Sequence, residues 1–451
     1  MELTDLTVSE AARRIRAGEL SPVELVQACF GRIGVLDPRL RAWVLVDREG
    51  ALGTAREREA EASAGRFRGP LHGVPVGLKD IYHVQGMPTT AGAGGFAHEQ
   101  PTSDAESVAR LRGAGAVVVG KTATTEFAYL DPAETRNPWN PEHTPGGSSS
   151  GSGASVGARM IPLALGSQTV GSVLRPAAYC GAVGLKPTYG RISCRGVLPL
   201  AWSLDHVGIF CRSVEDAALA LTPLAGHDPG DPCSARESVA DYPAACAAAG
   251  RPPHLGLPRQ FFLEKAGTEV RAHLEAVAQA FARAGAEVEE IKLPQSFERI
   301  HAAGATVLQV EAATYHAPRF STHAEQYRPK IRALIEAGMK ISGVDYVGAQ
   351  HHRRTFREEM TPILERVDAL LMPVTGAPAP RGLGSTGDPT FCAPWTFAGL
   401  PAISLPSGLA EDGLPLAIQL VSGAFEETRL LATARWCEGT LAFSARPSES
   451  R

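Results

Sequence analysis

The sequence predicts an α/β chain in which a sheet is covered by helices on both faces. Short apolar runs read as buried strands: Val117-Val118-Val119-Gly120, His254-Leu255-Gly256-Leu257, Ala369-Leu370-Leu371-Met372-Pro373 and Leu416-Ala417-Ile418-Gln419-Leu420. Between the second and third of these, Val270, Leu274, Val277, Ala278 and Phe281 recur at helical spacing. Alternation of the two periods marks strands and helices packed in layers around one core.

Along the chain, Thr7 or Ser9 is placed to cap a first helix carrying Ala11, Ala12 and Ile15. Ser21 before Pro22 reads as an N-cap with proline at the first helical position, opening a helix with Leu25, Val26 and Cys29 inward. Arg56 to Ala64 predicts a charged, alanine-rich surface helix. Val117 follows Gly113 and Gly115, the punctuation expected before a strand. No internal repeat is visible. Pro378 to Pro389 is a Gly/Pro-rich loop, placed equally well at a site rim or on plain surface.

With 44% hydrophobic and 20% charged residues over 451 positions, the chain can fill a large core. A net charge of -4 offers no basic footprint for nucleic acid and no acidic tail. Met1 to Asp5 is polar and acidic, unlike a signal peptide, and no apolar run reaches the roughly 18 residues of a membrane span. A cytoplasmic protein is the expectation. The eight cysteines contain no Cys-x-x-Cys pair and read as reduced, mostly buried thiols. The adjacent His351 and His352 run into Arg353-Arg354, which fits a polar helix surface better than a metal site.

Chemistry concentrates in Gly146-Gly147-Ser148-Ser149-Ser150-Gly151-Ser152-Gly153 and Val170-Gly171-Ser172-Val173-Leu174-Arg175-Pro176. Such glycine and serine density normally means a linker. Here an apolar stretch, Ala154 to Leu165, follows at once, so the run is expected inside the protein. Gly151-x-Gly153 superficially fits a dinucleotide loop, but three serines precede it and Val173 stands near the offset where an acid is required.

These two segments resemble the signature of the amidase signature enzymes. Ser148 and Ser172 stand 24 positions apart, as the family's two catalytic serines do. Upstream, Gly73-Val74-Pro75-Val76-Gly77-Leu78-Lys79-Asp80 is similar to the family's catalytic-lysine segment. Cys180 to Arg191, Ser203 to Gly208, Ala398 to Gly408, and Gly413 to Leu420 also match, in the same order. The resemblance thins only between about Ala225 and Asp368. It implies one amidase signature domain over 1–451 built on a large central mixed sheet flanked by helices. Its core would lie at about 70–215 and 369–440, with a substrate-specificity region at about 225–368.

Serine is a weak nucleophile without a base, and the signature segment holds no histidine. The resemblance supplies Lys79 as base, acting through a relay serine, Ser148, on a cis peptide bond to activate Ser172. Lysine is a base only when neutral, so burial must lower its reference pKa of about 10.4. The backbone N–H groups of Thr169, Val170, Gly171 and Ser172 would form the oxyanion hole by analogy. Val170 replaces a glycine of most relatives, and Gln168 replaces a frequent acid. Arginine stands third after Ser172, at Arg175, where many relatives place it second. Relatives that hydrolyse malonamate-type half-amides share that order, so Arg175 is a candidate carboxylate binder, with pairing beneath the loop as the structural alternative.

The resemblance implies an amidohydrolase of linear amides or carbamates, with esters also open, and no cofactor or metal. The expected partner is a small amide or carbamate substrate rather than nucleic acid or membrane, and a homodimer is left open. The competing enzyme reading is the glutaminase subunit of a tRNA-dependent amidotransferase. Gln168, Val170 and the Leu174-Arg175 order depart from that subunit's usual pattern.

Overall fold

A computed structural model describes residues 2–94, 98–248 and 250–448. Eleven strands form one sheet: β1 (Trp43–Val46), β2 (Pro75–Lys79), β3 (Val117–Thr122), β4 (Leu163–Gln168), β5 (Val183–Lys186), β6 (His206–Cys211), β7 (His254–Leu257), β8 (Glu287–Glu290), β9 (Ala369–Pro373), β10 (Ala402–Leu409) and β11 (Pro415–Val421). Their spatial order is β1-β3-β2-β4-β6-β5-β10-β11-β9-β7-β8. The sheet is mixed. β2 runs parallel to both β3 and β4, and β7 runs parallel to both β8 and β9, while every other neighbouring pair is antiparallel.

Every residue of β2, β3, β4, β5, β6 and β9 is buried, which requires cover on both faces. The edges differ. β1 is half-exposed, and β8 reads Glu-Val-Glu-Glu, with charges along an unpaired edge.

Local signals set the helices. Thr7 accepts from Glu10 N at the start of Val8–Arg16. Ser21 accepts from Val23 N and Glu24 N while the Glu24 side chain takes the Ser21 N–H, a full capping box ahead of Pro22–Leu40. The charged surface helix begins earlier than its composition predicted, spanning Arg48–Ser63. Asp47 caps it through Gly50 N, and Ala51 and Ala55 face the core. All eight cysteines are free thiols, six of them buried, with Cys194 half-buried and Cys233 exposed. His351 is exposed on the helix Gly343–Arg366, and His352 turns its Nε2 to the Ser296 carbonyl. Among the described residues no helix is long and apolar enough to cross a membrane.

The parallel β2/β4 pair positions the site. Val76, Gly77 and Leu78 lie opposite Leu163, Ala164 and Leu165, so both strands end on the same side of the sheet. Polar side chains from two distant segments thereby emerge together at the carboxyl ends of parallel strands, where open α/β sheets place their ligand crevices.

Candidate active site

Lys79 closes β2 and is buried. Its Nζ lies 2.7 Å from Ser148 Oγ and 2.8 Å from Ser167 Oγ. Burial pushes the lysine well below the ordinary ammonium range, opposed by the negative charge of Asp205. Desolvation of this kind favours the neutral amine, the form that holds a lone pair for a serine proton.

Ser148 follows Gly147 through a cis peptide bond. Its carbonyl accepts from Thr125 N at 3.2 Å, and the next residues enter the buried helix Ser150–Gly157. That helix passes so close to neighbouring backbone that a Cβ at Gly151 would meet the Ala42 carbonyl oxygen at 2.1 Å. The Gly/Ser run is therefore core, held by close backbone approach.

Ser172 sits in the loop between β4 and the short helix Leu174–Cys180. Gln168 shapes that loop. Its Oε1 accepts from Val173 N at 2.8 Å and Leu174 N at 2.9 Å, and its Nε2 donates to Thr396 Oγ1. Thr396 Oγ1 in turn donates to the Val170 carbonyl at 2.8 Å, turning that oxygen away. Among the described residues, no protein acceptor takes the N–H groups of Thr169, Val170, Gly171 or Ser172. A side chain at Gly171 would press on Pro389 at 2.9 Å, so the turn needs glycine there.

Ser172, Thr169, Val170, Gly171 and Arg175 line one cavity of about 220 Å³. The helix Phe297–His323 supplies His301, Ala305 and Leu308 to its opposite wall, and Pro389 of the Gly/Pro-rich loop closes its rim. Of Lys79, Ser148 and Ser172, Ser172 alone lines this cavity, and among the described residues no hydrogen bond occupies its hydroxyl. A model of the Amidase family matches residues 24–431.

The chain belongs to the amidase signature family. It is 36% identical to a glutamyl-tRNA(Gln) amidotransferase subunit of Geobacter metallireducens, over 98% of this chain and 99% of that protein. It is likewise 36% identical to an amidase of Pseudomonas putida, over 95% of each. The solved peptide amidase of Stenotrophomonas maltophilia superposes with a TM-score of 0.86 at 31% identity, over 99% of each chain.

Within this amidase signature chain, Arg175 is fully enclosed. Nη1 donates to the Gly387 carbonyl, and Nη2 donates to the Gly147 carbonyl and Thr386 Oγ1. The guanidinium thus ties the loop carrying Ser148 to the Gly/Pro-rich loop. Three groups at the site carried no signal of role in the sequence. Ser167 is the second partner of Lys79. Asp205 accepts from Thr169 Oγ1 at 2.5 Å and from Leu200 N and Ala201 N, and its burial raises it to about 7. His301 presents a buried Nε2 that has no partner among the described residues. Helical spacing alone could have put His301 on the face shared with Ala305 and Leu308. Only the sheet register reveals Ser167.

Proposed function

We propose that this protein is an amidohydrolase working through a Ser172 acyl-enzyme, with Ser148 as proton relay and Lys79 as base. The observation that carries the reading is the buried Lys79, its charged form disfavoured by desolvation, within hydrogen-bond distance of Ser148 Oγ. Ser172 Oγ attacks the carbonyl carbon, its proton passes to Ser148, and the Ser148 proton passes to Lys79. The carbonyl oxygen becomes an oxyanion received by the free N–H groups of Thr169, Val170 and Gly171, preorganised donors each worth about 3–4 kcal/mol. Collapse breaks the C–N bond as the proton returns from Lys79 through Ser148 to the leaving nitrogen. Water then repeats the cycle on the ester, freeing the acid. Linear amides and carbamates are the substrate class.

The similarity to the amidotransferase protein favours a second reading, glutaminase activity coupled to a partner protein. Labelling with a fluorophosphonate followed by peptide mass mapping tests the nucleophile, and an adduct on any residue but Ser172 overturns it. Ammonia release from glutamine by the purified chain, matched against release from simple amides, separates the two readings.

A further inference from the structure

A second cavity of about 280 Å³ lies beyond the catalytic loop, and Ala128, Thr169 and Leu200 wall both it and the Ser172 cavity. Its lining is mostly apolar, with Ile81, Ile192, Val197, Leu198, Pro199 and Trp202. Tyr189 adds a ring whose hydroxyl is already spent on the Trp202 carbonyl at 2.8 Å. Ser167 also faces this space, and Ser167 is one of the two serines bonded to Lys79.

We propose that this second cavity receives the leaving group of the substrate, and that the leaving group is an arylamine. The inference rests on the amidohydrolase reading above. In that reaction the leaving nitrogen must collect its proton from the side of the relay, by microscopic reversibility. The acyl carbon sits at Ser172 and the oxyanion at Thr169 to Gly171. The remaining substituent then points past Thr169 toward Lys79 and Ser167, where this cavity opens.

The chemistry of the lining selects the amine. An alkylamine departs and persists as an ammonium ion, which an apolar cavity disfavours unless a free anion meets it. Two carboxylates line the cavity and both are engaged: Asp205 accepts from Thr169 Oγ1 on one oxygen and from Leu200 N and Ala201 N on the other, and Asp231 accepts from Cys233 N on one oxygen and from Cys194 N and Ser193 Oγ on the other. An arylamine is uncharged near neutral pH and flat, and it packs against aliphatic side chains and the Tyr189 ring. The volume holds a single ring with room for a substituent.

The test compares acetamide, hexanamide and acetanilide with wild type and Val197→Phe, which narrows the second cavity alone. The expected result is a fall of at least tenfold in the acetanilide-to-acetamide ratio of kcat/KM, with the hexanamide-to-acetamide ratio unchanged. A fall in the hexanamide ratio instead assigns the cavity to the acyl chain and overturns the proposal, as does no change in either. Ile192→Ala widens the same wall and should raise the ratio of acetyl-naphthylamide to acetanilide at least threefold. A binding measurement keeps the outcome separate from the catalytic reading. Aniline titrated calorimetrically into Ser172→Ala should bind at least tenfold more tightly than butylamine, and Val197→Phe should weaken aniline at least tenfold. Equal aniline affinity with and without Val197→Phe rejects the cavity whether or not the enzyme turns over amides. Aniline binding of the expected kind, in a protein inert to every amide, rejects the catalytic reading alone.

Discussion

Arg175 Nη2 donates to the carbonyl oxygen of Gly147 at 2.6 Å, bracing the residue before Ser148 from within the helix that follows Ser172. One side chain therefore couples the segments of both serines. Arg175→Leu should remove three buried hydrogen bonds and destabilise the fold by about 3 kcal/mol, read as a lowered denaturation midpoint. Turnover of neutral amides and of half-amides such as malonamate should fall together. Selective loss of half-amide turnover would instead establish Arg175 as a carboxylate binder.

In the proposed mechanism Lys79 sets the pH dependence. Because burial lowers its folded-state pKa, kcat/KM should rise with pH through that value and then level off. The stability sign follows the same shift. The unfolded chain keeps the lysine protonated up to about 10.4, so between the folded value and that point stability rises with pH, by about 1.4 kcal/mol per unit from this group. Lys79→Met should abolish the kinetic limb and flatten the stability profile, as denaturant titrations across that range would show.

Asp205 holds the Lys79 pKa up against desolvation. Asp205→Asn removes the charge while keeping an oxygen for Leu200 N and Ala201 N. The kinetic limb should move to lower pH. A limb that stays put or moves upward would show that the two groups are uncoupled.

Thr396→Val cuts the chain from Gln168 to the Val170 carbonyl. The loop N–H groups then lose their preset orientation, and kcat should drop about tenfold with KM nearly constant, a loss of about 1.4 kcal/mol confined to the transition state. A matching rise in KM would place Thr396 in substrate binding instead.

Much of this was readable from the chain itself, for identifiable reasons. The strands His254–Leu257 and Ala369–Pro373 are continuous apolar runs between turn residues, and the structure places strands on those same residues. Ser21-Pro22 marked a helix start because capping is local. Lys79, Ser148 and Ser172 stood out through the resemblance of their segments to the amidase signature, since a Gly/Ser run by itself reads as a linker. The rest depends on distance in sequence. Arg175 left two roles open because its partners Thr386 and Gly387 lie more than two hundred positions away. Ser167 was silent because only the parallel register of β2 and β4 brings it to Lys79. The helix Arg48–Ser63 started earlier than its charge pattern, since Ala51 and Ala55 bury a face that composition alone hides.

The wall built by His301, Ala305 and Leu308 belongs to one helix, whereas Lys79, Ser167 and Gln168 sit on the sheet. The wall of the Ser172 cavity and the proposed proton path are thus carried by separate mechanical parts. Exchanging that single helical face, residue by residue at one-turn steps, reshapes the cavity beside Ser172 while leaving the sheet residues around Lys79 in place, which makes the Phe297–His323 segment the natural place to begin laboratory evolution toward new amides.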